Sequence, residues 1–313
     1  MVRRGIRVVV RCKRQQLTVE DGLYTHWIVD SFGGVRMTVI SVVNMKGGVA
    51  KTTLATNLAD TLVRRHQCKV LLVDLDPQFN ATQCLISPEK YVKARSAGQP
   101  TIVNIFDDAP MAVSAVGGAK SQAPLVLKDI KPWKIKENFD LVPGDLELYR
   151  LEMGGGQGRE QRLKRYLEAI GADEKYDFVI IDTPPTPSHW MMAALLASDG
   201  YIVPVKPEPL SRTGIDLLRG VVERFSQNYG HPIECIGVVL TIVETNTLVY
   251  REAVDFLDKN PVWAGKRYAA SLPKRVKLAR AQGNQALIFD LDDSDLKRGI
   301  AGIAKEFTER ADG

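Results

Sequence analysis

The run Lys46-Gly47-Gly48-Val49-Ala50-Lys51-Thr52-Thr53 follows the apolar stretch Thr38-Val39-Ile40-Ser41-Val42-Val43. A glycine-rich loop between a strand and a helix cradles phosphates: backbone N–H groups and the helix N-terminus surround the oxygens, a lysine reaches the terminal phosphates, and a hydroxyl ligates Mg²⁺. Lys51 and Thr52 fit those last two roles, and Thr53 to Arg65, with Leu54, Leu58 and Leu62 at a spacing of four, predicts the helix. The common pattern G-x-x-x-x-G-K-[ST] fails at both glycines, where Met45 and Ala50 stand, whereas the deviant form K-G-G-x-x-K-[ST] fits. Lys46 is then a second lysine in one loop. It cannot easily fold back onto the phosphates that Lys51 serves, but it could reach across an interface to a neighbour's γ-phosphate, as an arginine finger does in trans. That geometry predicts a dimer that sandwiches nucleotide.

Two further apolar runs end in carboxylates. Lys69-Val70-Leu71-Leu72-Val73-Asp74-Leu75-Asp76-Pro77-Gln78 and Tyr176-Asp177-Phe178-Val179-Ile180-Ile181-Asp182-Thr183-Pro184-Pro185 both read as buried parallel strands. Their C-terminal ends are where open α/β sheets present ligands. Asp76 is placed to orient a water, and Asp182 is suited to hold Mg²⁺ directly or through water.

On these motifs the chain, from about Met37 to its C-terminus, resembles the ParA/MinD family of deviant Walker ATPases, and the ParA type more closely than the membrane-bound MinD type. The resemblance rests on Lys46–Thr53, on Val73-Asp74-Leu75-Asp76-Pro77-Gln78-Phe79-Asn80-Ala81-Thr82 and on Ile181-Asp182-Thr183-Pro184-Pro185. It implies an ATPase using ATP and Mg²⁺, with Lys46 acting across the dimer, Lys51 on phosphate, Thr52, Asp182 and Asp76 around Mg²⁺, and Asp76 also positioning the attacking water. Asp74 either joins the magnesium network or ends its strand. Ala50 departs from the glycine most members carry beside the phosphate lysine; if that position needs φ > 0, alanine costs roughly 1 kcal/mol.

Strands predicted near 38–43, 69–74, 139–142, 177–182, 200–204 and 235–241 alternate with helices near 53–65, 159–170, 188–197, 213–227 and 248–258. This succession predicts a doubly wound, mostly parallel sheet with helices on both faces. One ATPase domain would span 37–313. Between Ser87 and Lys136 the pattern loosens around Pro88, Pro100, Pro110, Pro124 and Pro132, which reads as a loose surface excursion. Residues 1–36 carry Arg3, Arg4, Arg7, Arg11, Lys13 and Arg14 before any acid. They are either a basic arm with phosphate contacts on nucleic acid, or a segment upstream of a true start at Met37.

At 313 residues with 45% hydrophobic content the chain can bury a full core. Cys12, Cys68, Cys84 and Cys235 form no C-x-x-C pair, consistent with a reduced cytosolic setting. No apolar run approaches the ~18 residues of a membrane span. The net charge of +5 says little, but every charge from Trp263 to Gln282 is positive and the acids cluster later, at Asp290, Asp292, Asp293 and Asp295. Such a patch suits non-specific contact with DNA phosphates. The segment Ser271 to Arg280 also resembles a ParA-type stretch in which the region after the proline, here Pro273, lies near adenine and the basic residues serve DNA. Lys274, Arg275, Lys277 and Arg280, with Arg251 as a weaker fifth, are the candidate phosphate contacts. The resemblance further implies a nucleoid-associated protein and a ParB-like or cargo-adaptor partner that stimulates hydrolysis.

The MinD-like alternative needs a membrane-surface helix, and Leu296, Ile300, Ile303 and Phe307 do recur at helical spacing near the C-terminus. Gly299, Gly302, Glu306, Glu309 and Asp312 in the same segment fit a helix packed on its own domain better. A metabolic enzyme of the same nucleotide-binding class would need a second substrate pocket, for which no motif stands out. An iron–sulfur carrier would need cysteines just after the sheet strands at the dimer face, and neither Asp182-Thr183-Pro184-Pro185 nor the helix that follows it contains one.

Overall fold

Strands that are apolar on both faces can only lie in the middle of a sheet covered on both sides. In the computed structural model, which describes residues 37–107, 125–153, 158–209 and 211–311, β2 (Val70–Asp74), β5 (Phe178–Asp182) and β6 (Gly200–Val205) are buried at every position. With β1 (Thr38–Val42), β3 (Trp133–Lys136), β4 (Phe139–Val142) and β7 (Glu234–Leu240) they form one sheet of order β3-β4-β2-β5-β1-β6-β7. All neighbouring pairs are parallel except β3–β4.

The helices are α1 (Lys51–His66), α2 (Asn80–Leu85), α3 (Pro88–Ser96), α4 (Ile102–Phe106), α5 (Leu148–Met153), α6 (Arg162–Ala169), α7 (Ala172–Lys175), α8 (His189–Ala197), α9 (Ser211–Tyr229), α10 (Leu248–Lys259), α11 (Val276–Gln282) and α12 (Ser294–Ala311). Successive strand residues face opposite ways. Ile40, Leu72 and Ile180 therefore pack with Leu54, Leu58 and Leu62 of α1 and with Leu296, Ile300, Ile303 and Phe307 of α12. Val39, Leu71, Val179 and Ile181 pack instead with Leu163 and Tyr166 of α6 and Trp190 of α8. Alternation along the strands thus builds the two helical layers. The apolar stripe of α12 is spent inside this core, as the glycines and acids of that segment predict.

The segment 87–136 is not uniformly a surface excursion. α3 has no buried residue, but α4 puts Ile102, Ile105 and Phe106 fully into the core, and Trp133 begins the antiparallel edge strand β3. Elements this short, set between prolines, carry too few turns to show periodicity. Residues 1–36 and 108–124 lie outside the described residues. Among the described residues no helix is long and apolar enough to cross a membrane.

Candidate nucleotide site

β1 delivers the glycine-rich loop to the C-terminal edge of the sheet, between β5 and β6. The loop is tied at both of its ends to the β6–β7 side of the sheet. Asn44 Nδ2 donates to Pro204 O at 2.7 Å, Lys46 N donates to Asn44 Oδ1 at 2.9 Å, and Thr241 Oγ1 donates to Val49 O at 2.8 Å. Gly48 has φ 70°, and Ala50, the N-cap of α1, sits at φ 64°, ψ 36° in the left-handed region. A Cβ at Gly47 or Gly48 would meet nothing within 4 Å, so the loop opens onto free space. Lys51 and Thr52 begin α1 rather than preceding it, and Thr53 follows them, so their groups stand at a helix N-terminus where anions bind.

The Lys51 side chain is buried and its Nζ donates to Lys46 O at 3.2 Å. Burial lowers its pKa, while Asp182 and Asp76 act to raise it. Asp74 and Asp182 are register partners on β2 and β5, so two carboxylates lie side by side at 0% exposure. Asp74 Oδ2 accepts from Thr82 N and Thr82 Oγ1, both at 2.7 Å, and burial pushes its pKa up to about 7. It therefore ties β2 to α2. Asp182 has neither oxygen hydrogen-bonded; burial, then the neighbouring Asp74, holds its pKa well above the usual range, with Thr52 and Lys51 opposing. Asp76 Oδ1 accepts from Gln78 N at 2.9 Å, and burial raises this carboxyl too.

Two orphaned buried oxygens are costly unless a cation meets them. Mg²⁺ is bound by one or two carboxylates plus phosphate oxygens and water. Asp182 with the Thr52 hydroxyl beside it fits that donor set, and the bound ion would supply charge neutralisation on the phosphates.

Lys46 goes elsewhere. Its ammonium pairs with Glu208, beyond the end of β6, and Glu208 pairs also with Lys206; hydrogen bonds from Lys206 and Lys46 hold the Glu208 pKa below its usual value. Lys46 is 39% exposed whereas Lys51 is 7% exposed. One loop thus carries an inward and an outward lysine. Glu208, Asn44 and Thr241 had no motif to announce them, since each acts through a partner distant in sequence.

Pro273 lies in the segment that bridges to Val243 after β7, and α11 follows it. At the end of α11 the Gln282 amide meets the Thr53 hydroxyl at 3.2 Å, which brings this segment over the start of α1. The positive run does not stay one-signed in space. Lys274 pairs with Glu244 at 2.6 Å, Arg275 with Asp293 at 3.1 Å and Asp295 at 2.9 Å, and Lys277 with Asp293 at 2.9 Å. Arg280 on α11 and Arg251 on α10 are exposed and make no ion pair with another described residue.

Residues 37–235 match the family described as an AAA domain. The sporulation initiation inhibitor protein Soj of Bacillus subtilis is 30% identical over 256 residues, covering 80% of this chain and 91% of that protein. The chromosome partitioning protein ParA of Caulobacter vibrioides is 30% identical over 260 residues, covering 82% and 88%. Among solved structures, a plasmid partition protein from Borrelia burgdorferi bound to AMPPNP superposes with a TM-score of 0.67 at 24% identity, covering 88% of this chain and 99% of that one. With a deviant phosphate loop, a buried Lys51 and carboxylates at the ends of β2 and β5, the chain belongs to the ParA/MinD family of ATPases.

Proposed function

We propose that this ATPase positions DNA or another cargo by switching between a free state and an ATP-bound sandwich dimer that binds DNA non-specifically. The observation that carries the reading is the pair of lysines on one loop, Lys51 turned in to the carboxylates and Lys46 turned out to a surface carboxylate. A lysine of the second kind does nothing for its own phosphates and is available to a partner's.

In this reading Lys51 and the N–H groups of Gly47 to Thr52 hold the phosphates, Thr52 and Asp182 hold Mg²⁺, and the segment after Pro273 borders adenine. Lys46 leaves Glu208 and contacts the partner's γ-phosphate. Asp76 orients the attacking water, and hydrolysis, stimulated by a ParB-like or cargo-adaptor protein, separates the protomers. Two joined copies of a weak patch bind far better than one, so dismantling the dimer lowers DNA affinity without altering any single contact. Arg280 and Arg251 are the readiest phosphate contacts, and Lys274, Arg275 and Lys277 add to them once released from their carboxylates. The relatives named for chromosome partitioning support this role. The buried stripe of α12 speaks against a membrane-surface role for that helix.

The test is binding to random-sequence duplex DNA with ATP, AMPPNP, ADP or no nucleotide, each at two salt concentrations. Salt-sensitive binding confined to ATP and AMPPNP is the expected result. Equal binding in all four states would refute the switch.

A further inference from the structure

The turn that carries Asp76 ends on a strained aromatic. Phe79 lies at φ 42°, ψ 40°, in the left-handed region, as the N-cap of α2; for a bulky side chain this is an outlier that surrounding structure must enforce. Phe79 N donates to Asp76 O at 2.8 Å, and Gln78 N donates to the Asp76 carboxyl at 2.9 Å. The orientation of that carboxyl is therefore set within a four-residue turn whose far end is Phe79.

What fixes Phe79 comes from the segment between β2 and β4. Its ring stacks on Tyr91 of α3 at 5.4 Å, and Tyr91 lies 5.8 Å from Trp133 of β3. The Tyr91 hydroxyl donates to Gly144 O at 3.0 Å, and the Trp133 indole N–H donates to Pro100 O at 2.7 Å. Gly144 presses on the same point from beneath, since a Cβ there would lie 2.6 Å from Phe79 Cβ and 2.9 Å from the Asp74 carboxyl. A glycine at 79 would take this backbone without strain but would have no ring to hold.

We propose that Phe79 is a positioning residue for ATP hydrolysis: its stack on Tyr91, which Trp133 backs in turn, locks the Asp76 turn in the orientation that aims the carboxyl at the attacking water. The inference rests on the reading of Asp76 as the water-orienting group.

The experiment uses the full chain and measures ATP turnover, AMPPNP affinity and thermal stability for Phe79→Ala, Phe79→Gly, Phe79→Tyr, Tyr91→Leu and Asp76→Ala. Phe79→Ala, Phe79→Gly and Tyr91→Leu are expected to lower turnover roughly 10- to 100-fold, the usual penalty for a misplaced catalytic group, with AMPPNP affinity within about threefold of the parent. Phe79→Tyr keeps the ring and keeps turnover. Phe79→Ala combined with Tyr91→Leu is no worse than either alone, because both break one unit. Lowered stability with unchanged turnover in Phe79→Ala would overturn the proposal, as would full turnover in Phe79→Gly or a parallel loss of AMPPNP binding. If Asp76→Ala abolishes turnover and Phe79→Ala does not, only the positioning role falls. If Asp76→Ala turns over normally, the Asp76 reading falls and takes this inference with it.

Discussion

Replacing Ala50 by glycine measures the strain held in the phosphate loop. At φ 64°, ψ 36° an L-residue is disfavoured by about 1–2 kcal/mol, which glycine avoids. Glycine gives back roughly 0.5–1 kcal/mol through the greater freedom of its unfolded chain. It is also the better N-cap by a few tenths. The net gain for Ala50→Gly is about 1 kcal/mol, or a rise of about 2 °C in Tm for a chain of this size. The strain is common to the empty and loaded loop if the backbone keeps its shape, so nucleotide affinity stays within about tenfold. Thermal unfolding with and without Mg²⁺–AMPPNP, together with calorimetric titration of the analogue, reads both quantities. Gln67→Gly is the matched control: Gln67 sits at φ 58°, ψ 24° at the other end of α1, away from the loop, and glycine is favoured at such a terminus. A stabilised Gln67→Gly beside a destabilised Ala50→Gly, or an affinity change beyond tenfold, would show that the loop backbone rearranges on loading and that the strain argument is wrong.

Asp182→Asn should make the stability of the nucleotide-free protein less dependent on pH, since it removes a buried titratable carboxyl, while abolishing the Mg²⁺ dependence of AMPPNP binding; a variant with the parent's pH profile would contradict the raised pKa. The raised pKa values of Asp74 and Asp182 mean that the native state binds more protons than the unfolded one above about pH 4. Stability of the nucleotide-free protein should therefore fall as pH rises from about 4 through about 7, and denaturant titrations across that window would show a rise if the sign is wrong. Lys46→Ala should reduce hydrolysis more than analogue binding by the monomer and, because its partner is a half-exposed ion pair, change stability by less than about 1 kcal/mol; equal loss of binding and hydrolysis would sink the trans assignment. Asp293 Oδ1 accepts from Leu296 N at 3.0 Å and Asp295 N at 3.1 Å at the start of α12, so Asp293→Ala should cost about 1–2 kcal/mol by urea unfolding. The Leu296 N–H, then Lys277, holds that carboxyl down at about 2. Its contribution is thus full above about pH 4 and fades as pH falls toward 2, so parent and variant should converge in acid, and a stability gap that stays constant down to about pH 2 would contradict it.

The central strands were legible because burial on both faces demands unbroken apolar runs, and the carboxylates closing β2 and β5 marked their ligand-bearing ends. β3 was not, since Trp-Lys-Ile-Lys alternates for only four residues at the sheet edge, too short a run to mark a strand. Lys51, Thr52 and Asp182 each stand at the end of an element that sequence identifies, although α1 begins two residues earlier than its periodicity suggests. Glu208 could not, lying 162 residues from the lysine it holds. Phe79 reads as an ordinary apolar residue, since nothing in its identity signals a positive φ. The pairing of Arg275 with Asp293 and Asp295 depends on how the chain turns between α11 and α12, a packing outcome that charge counting along the chain cannot foresee.

Those last ion pairs change what kind of reaction binding at α11 can be. A polyanion that meets Arg275 or Lys277 does not simply add a contact, because it must first displace Asp293 or Asp295. Each such phosphate contact is an exchange of one anion for another, with fewer condensed ions set free than the number of cations engaged would suggest. The salt dependence of binding to this surface should accordingly be shallower than a count of its lysines and arginines predicts. The acids at the start of α12 also remain close by as ready replacements, so a strand end that lifts away is met by an intramolecular competitor before it can settle back.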